Sequence, residues 1–121
     1  MKLQLLEKSK IFYHGSPYKL EYLKEGCDFT PYKELAIAFG SKPVSLSIDE
    51  NNIYFNPSIT TVYLYQVDET IIYNVDYYDR SRSSFEKGYE LRANRKVKLK
   101  LIQTIYDINE YVQDVTNKNL I

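Results

Sequence analysis

The sequence predicts an α+β fold, and three observations carry that reading. A single strong helix signal stands early in the chain. The segments after it alternate with the period of two that marks half-buried strands. No strand–helix–strand alternation of the kind that builds a parallel sheet appears anywhere, so the strands are expected to pair mostly antiparallel. At 121 residues the chain reads as one domain, residues 1–121, with its core at about residues 10–108. No internal repeat or low-complexity linker divides it.

The elements follow in order. "KIFYHG" (residues 10–15) is a short aromatic and β-branched run ending at Gly15, expected as the first core strand. "TPYKELAIAFGS" is the helix, with Thr30 suited to the N-cap, Pro31 to the first helical position and Gly40 to the stop. Tyr32, Leu35, Ala36 and Phe39 share one face at helical spacing, which should pack on a sheet. After Pro43, Val44, Leu46 and Ile48 alternate with Ser45, Ser47 and Asp49 as in a half-wet strand. "NN" and "NPS" then isolate a short segment at residues 53–55.

"TTVYLYQVDETIIYNV" predicts two further strands, the first with both faces covered and therefore central. "DYYDRSRSSFEKG" is polar and reads as an exposed connection, whose charges Asp76, Asp79, Arg80, Arg82 and Glu86 are expected in solvent, with recognition of a phosphate or a macromolecular partner as the second reading. "YELRANRKVKLKLIQTIYDI" returns to strand character as two strands broken near Asn94. In the second, Val97, Leu99 and Leu101, extended by Gln103 and Ile105, alternate with Lys96, Lys98 and Lys100, giving a one-face-wet strand near an edge. "DINEYVQDVTNKN" closes with a short helix.

Composition narrows the chemistry. Sixteen basic residues balance sixteen acidic ones, which argues against a strong non-specific grip on nucleic acid while leaving room for a local basic patch. Cys27 is the only cysteine, so no intrachain disulfide is possible and a reducing compartment is the simplest expectation. One cysteine and one histidine also make an all-protein zinc site a poor fit, so no metal is expected. No stretch reaches the roughly 20 apolar residues of a membrane span, and residues 1–10 lack an apolar export core. The expected setting is the cytoplasm, with no membrane partner. Thirteen tyrosines and no tryptophan fit a low-GC coding bias, with only a few rings expected in a ligand pocket.

Three pieces in order carry a resemblance: a strand ending "YHGS", a helix "TPYKELAIAF", and "YEL" after a polar loop. Together they resemble the ADP-ribosyltransferase superfamily, in the branch marked by His, an aromatic and Glu that includes poly(ADP-ribose) polymerases and diphtheria-type toxins. "FYHGSPYKLEYL" with "FTPYKELAIAF" is also similar to small bacterial and phage proteins that begin "YHGS". The resemblance covers residues 11–108. It implies a small split β-sandwich with one or two helices, NAD as substrate, and transfer of ADP-ribose to a protein or nucleic-acid acceptor, or hydrolysis of NAD.

The resemblance also implies roles for individual residues. His14 would hydrogen-bond a ribose hydroxyl, Gly15 would offer its backbone to the nicotinamide amide, and Ser16 would add a polar contact. The aromatic that stacks on nicotinamide matches Phe39, which keeps the ring and lacks the family's hydroxyl, with Tyr32 as the substitute. Glu90 would be the catalytic carboxylate beside the oxocarbenium-like ribose. Gly88 stands where arginine-modifying relatives carry a second acid, so arginine is not the expected acceptor. Each role has a structural competitor: His14 as a polar strand end, Phe39 as core, Glu90 as a solvated strand acid. Phe39 and the lack of the family's "G-x-x-F" strand before the helix, where "EGCDF" stands instead, also fit a catalytically inactive relative that binds a nucleotide or a protein.

Overall fold

The computed structural model describes residues 1–81, 83 and 85–119, and the predicted loop charge Arg82 falls outside them. Among these residues, ten strands and two helices follow one another as β1 (Lys2–Gln4), β2 (Tyr13–Ser16), β3 (Tyr22–Leu23), β4 (Asp28–Phe29), α1 (Lys33–Gly40), β5 (Ser45–Asp49), β6 (Asn52–Asn56), β7 (Val62–Val67), β8 (Tyr77–Asp79), β9 (Leu91–Ala93), β10 (Val97–Ile105) and α2 (Ile108–Asn119). They form three sheets, ordered β1-β6-β5, β2-β7-β10-β3 and β4-β9-β8, with every strand pairing antiparallel. The fold is α+β, as the pattern of the sequence predicts.

β7 is the spine. It lies between β2 and β10, and its alternating side chains supply two separate cores. Val62 and Leu64 join α1, α2 and β6 in one cluster, while Tyr65 and Val67 join β3, β4 and β9 in the other. β10 serves both cores by a different device. Leu99 opposes Val67 on the second core, but a register shift between Leu101 and Gln103 changes the parity. Ile105 then opposes Val62 on the first core. One irregular residue in a period-two strand moves everything after it to the other face. Leu101, expected inside, is the last residue before the shift, opposite Tyr65, and is 42 % exposed.

Several boundaries differ from expectation for physical reasons. The helix begins at Lys33, because Tyr32 has extended backbone (φ −107°, ψ 111°) and makes no side-chain cap. Thr30 instead uses its hydroxyl oxygen to accept from the Tyr32 N–H at 3.1 Å, turning the chain into the helix. Gly40 is the last helical residue rather than the stop, and the left-handed position falls at Lys42 (φ 49°). What Gly40 provides is closeness: an added Cβ would lie 2.6 Å from Val62 Cγ1 and 2.9 Å from the Gly15 and Ser16 backbone. The second strand expected within residues 60–75 does not form, and only an isolated bridge joins Tyr73 to Tyr77. Val44 precedes β5 and is 74 % exposed. The polar connection, expected to be irregular, contains β8. β10 is flanked by β7 and, over Val97 and Lys98, by β3, so it is an edge only along part of its length.

Candidate functional site

The site is built where the four-stranded sheet meets the β4-β9-β8 sheet. β2 ends the four-stranded sheet, and its free side touches the third sheet's chain at one bridge. There the Tyr13 N–H donates to Thr30 O at 2.7 Å and the Thr30 N–H donates to Tyr13 O at 2.9 Å. Backbone groups two residues apart along a strand point the same way. The N–H and C=O of Gly15 therefore emerge on the side where Thr30 pairs with Tyr13, beyond the end of that pairing. Gly15 itself is required by α1: an added Cβ would sit 1.8 Å from the Ala36 carbonyl oxygen. The space that the missing side chain opens is filled by the helix, and Gly15 lines a cleft on its other side.

His14 takes the opposite face of β2. Its Nδ1 lies 2.7 Å from the Asp28 carbonyl oxygen. A carbonyl can only accept, so Nδ1 carries the proton, and in the neutral ring Nε2 is then an acceptor. Burial pushes the His14 pKa below its ordinary value of 6.5; the Asp28 carbonyl bond raises it and the positive charge of Lys42 lowers it further. The ring is therefore neutral at pH 7, with an acceptor nitrogen suited to a hydroxyl.

Glu90 precedes β9 and is 5 % exposed. Arg80 Nη1 donates to its Oε2 at 2.6 Å, and Ser83 Oγ donates to its Oε1 at 2.9 Å. Arg80 also approaches Asp28 Oδ2 with its Nε at 3.5 Å, and among the described residues the buried Nε has no hydrogen-bond partner. Asp28 in turn binds Arg92 Nε at 3.2 Å. Glu90 chiefly, then the charge of Asp28, hold the Arg80 pKa above its ordinary value. One network thus connects the histidine's backbone partner to the buried carboxylate.

These groups surround a cleft of about 360 Å³ whose lining includes His14, Gly15, Asp28, Phe39, Arg80 and Glu90. A second lobe of about 420 Å³ shares Phe39, Lys42, Arg80 and Glu90 with the first. Together their size suits an extended small molecule. The cleft lies on the seam between the cores, since Tyr13 and Ala36 line it from the first and Phe29 from the second.

Of the residues singled out in the sequence, His14, Gly15, Phe39 and Glu90 share this cleft, while Ser16 and Tyr32 lie elsewhere. Ser16 is buried at the end of β2, and its Oγ accepts from the Tyr18 N–H at 3.0 Å, fixing a turn. Tyr32 packs against Tyr89, ring centroids 4.9 Å apart, and burial, followed by Tyr89 and Glu86, raises its pKa. It sits before the helix, so helical spacing does not carry it to the position of Phe39. Phe39 has Phe85 as its ring neighbour at 6.1 Å.

Sequence reasoning missed Asp28, Lys42 and Ser83, and placed Arg80 in solvent. No local pattern marks them, because their partners lie up to 64 residues away, as for Asp28 and Arg92. Among the described residues no group of three or more His, Cys, Asp or Glu is placed to hold a metal ion, and no helix is long and apolar enough to cross a membrane. Compared with known proteins, the chain gives no significant match to a family model, a curated protein or a solved structure.

Proposed function

We propose that the cleft binds NAD and that the chain is an ADP-ribosyltransferase-like protein, transferring ADP-ribose to a macromolecule or hydrolysing NAD. The observation that carries this reading is the meeting of His14, Gly15, Phe39 and the buried Glu90 around one cleft. In this reading the antiparallel sheets around β7 are a small split β-sandwich of the ADP-ribosyltransferase type. His14 Nε2 accepts from a ribose hydroxyl, Gly15 pairs with the nicotinamide amide, and Phe39 lies against the ring. Breaking the C1′–N bond sends its electron pair to nicotinamide and leaves positive charge on the ribose. Glu90 stabilises that charge and binds a ribose hydroxyl, and water or an acceptor nucleophile then attacks C1′ and gives up its proton to solvent.

The test is nicotinamide release from NAD by wild type and by Glu90→Ala. We expect turnover to fall at least about a hundredfold, the order lost when one electrostatic contact to a transition state is removed. NAD affinity should change only a few-fold. Unchanged turnover in the variant would remove Glu90 from the mechanism.

A second reading is favoured by a specific observation: both oxygens of Glu90 are already held, by Arg80 and Ser83. A carboxylate so committed fits a nucleotide-binding module without catalysis. That reading expects the wild type to bind NAD and to release no nicotinamide, even with macromolecular acceptors supplied.

A further inference from the structure

A second groove lies beside the β8–β9 pair, separate from the NAD cleft. It measures about 640 Å³, and its lining includes Lys8, Lys10, Tyr73, Asp79, Lys87 and Leu91. Leu91 follows Glu90 directly, and successive side chains of an extended chain face opposite ways. The groove and the cleft therefore use opposite faces of the same segment.

Charge and shape single the groove out. The whole chain is neutral, yet three lysines and one carboxylate line this surface. Asp79 is already engaged: it accepts from the Tyr73 hydroxyl and lies 3.9 Å from Lys87 Nζ. Among the described residues Lys8 and Lys10 are exposed and form no ion pair. The groove's aromatic rings pack on one another. Phe12 and Tyr77 are 5.3 Å apart, Tyr77 and Tyr73 are 5.6 Å apart, and Phe29 buttresses Tyr77 from the core at 5.4 Å. Tyr73 is 43 % exposed and is oriented by its bond to Asp79.

We propose that this groove binds single-stranded nucleic acid, with phosphates on Lys8, Lys10 and Lys87 and a base stacked on Tyr73. Cationic side chains tracking a backbone, combined with an exposed ring, are what sequence-tolerant recognition of unpaired nucleotides requires. An acidic peptide would use the lysines and leave the aromatic rings idle. The proposal goes beyond the NAD reading and does not depend on it.

The test is fluorescence anisotropy of the full chain with labelled oligo-dT and oligo-U of about ten nucleotides at low salt, with poly-glutamate as competitor. We expect binding that weakens with salt. The double variant Lys8→Ala/Lys10→Ala should weaken it at least about tenfold and flatten the salt dependence, each lost phosphate contact removing about 0.7 from the slope. Tyr73→Ala should weaken it by roughly five- to a hundredfold. NAD binding, read separately by calorimetry, should be the same in these variants as in wild type, so a failure of either reading leaves the other standing. No oligonucleotide binding, indifference to the lysine variant, or poly-glutamate binding as tightly and independently of Tyr73 would each overturn the proposal.

Discussion

At His14 one hydrogen bond sets the tautomer and one environment sets the charge. The Asp28 carbonyl keeps the proton on Nδ1, and burial keeps the ring neutral. That has a thermodynamic consequence with a definite sign. The folded pKa lies below 6.5, so between the two values the unfolded chain binds more protons than the native one. The His14 contribution to stability is complete above the unfolded pKa and is lost as the pH falls from 6.5 through the folded value. Denaturant unfolding at a series of pH values from 7.5 to 5, each figure about half a unit apart, should show stability falling on the acid side. The fall should be shallower in His14→Gln, which keeps a polar side chain and cannot titrate. Equal slopes in the two proteins would show that His14 is not held neutral.

At the scale of elements, the docking of α1 on β2 decides where the cleft can be. Leu35 and Ile37 are fully buried, and each such side chain contributes about 1.5–3 kcal/mol relative to exposure. The approach is limited by backbone on both sides, since Gly15 meets the Ala36 carbonyl and Gly40 meets the Gly15 and Ser16 backbone. Backbone cannot step aside as a side-chain tip can. Gly15→Ala should therefore cost more than about 3 kcal/mol, beyond the usual range for overpacking, or abolish folding. Thermal unfolding by circular dichroism would measure this; a change under 1 kcal/mol would mean that the helix is not seated as closely as described.

Much of this level was legible in the sequence. "YHGS" and "TPYKELAIAFG" place β2 and α1, because aromatic runs and buried helical faces are local signals. The resemblance implied a shared site for the residues it singled out, and His14, Gly15, Phe39 and Glu90 line one cleft while Ser16 and Tyr32 do not. The register shift in β10 was not legible, because a bulge is decided by which core each half of the strand must fill. Arg80 was misplaced for a related reason. An arginine in a polar run looks solvated until the fold brings a buried carboxylate within 2.6 Å of it. Tyr32 looked like part of the helix face because periodicity does not reveal that extended backbone precedes Lys33.

At the scale of the whole molecule, two cores share β7 and β10, and the cleft occupies their seam. A ligand held there touches side chains anchored in both cores, so its binding energy adds to the stability of the native state. At a free concentration roughly a hundred times Kd, the gain is about 2.7 kcal/mol. The central claim is that this seam is an NAD site, and isothermal titration calorimetry of the full chain with NAD and with ADP-ribose tests it most directly. The account predicts measurable heat with both ligands for wild type, and binding weakened at least about tenfold by His14→Ala, the effect of losing one buried hydrogen bond to a ligand. No heat with either ligand, or affinity indifferent to His14, would contradict it.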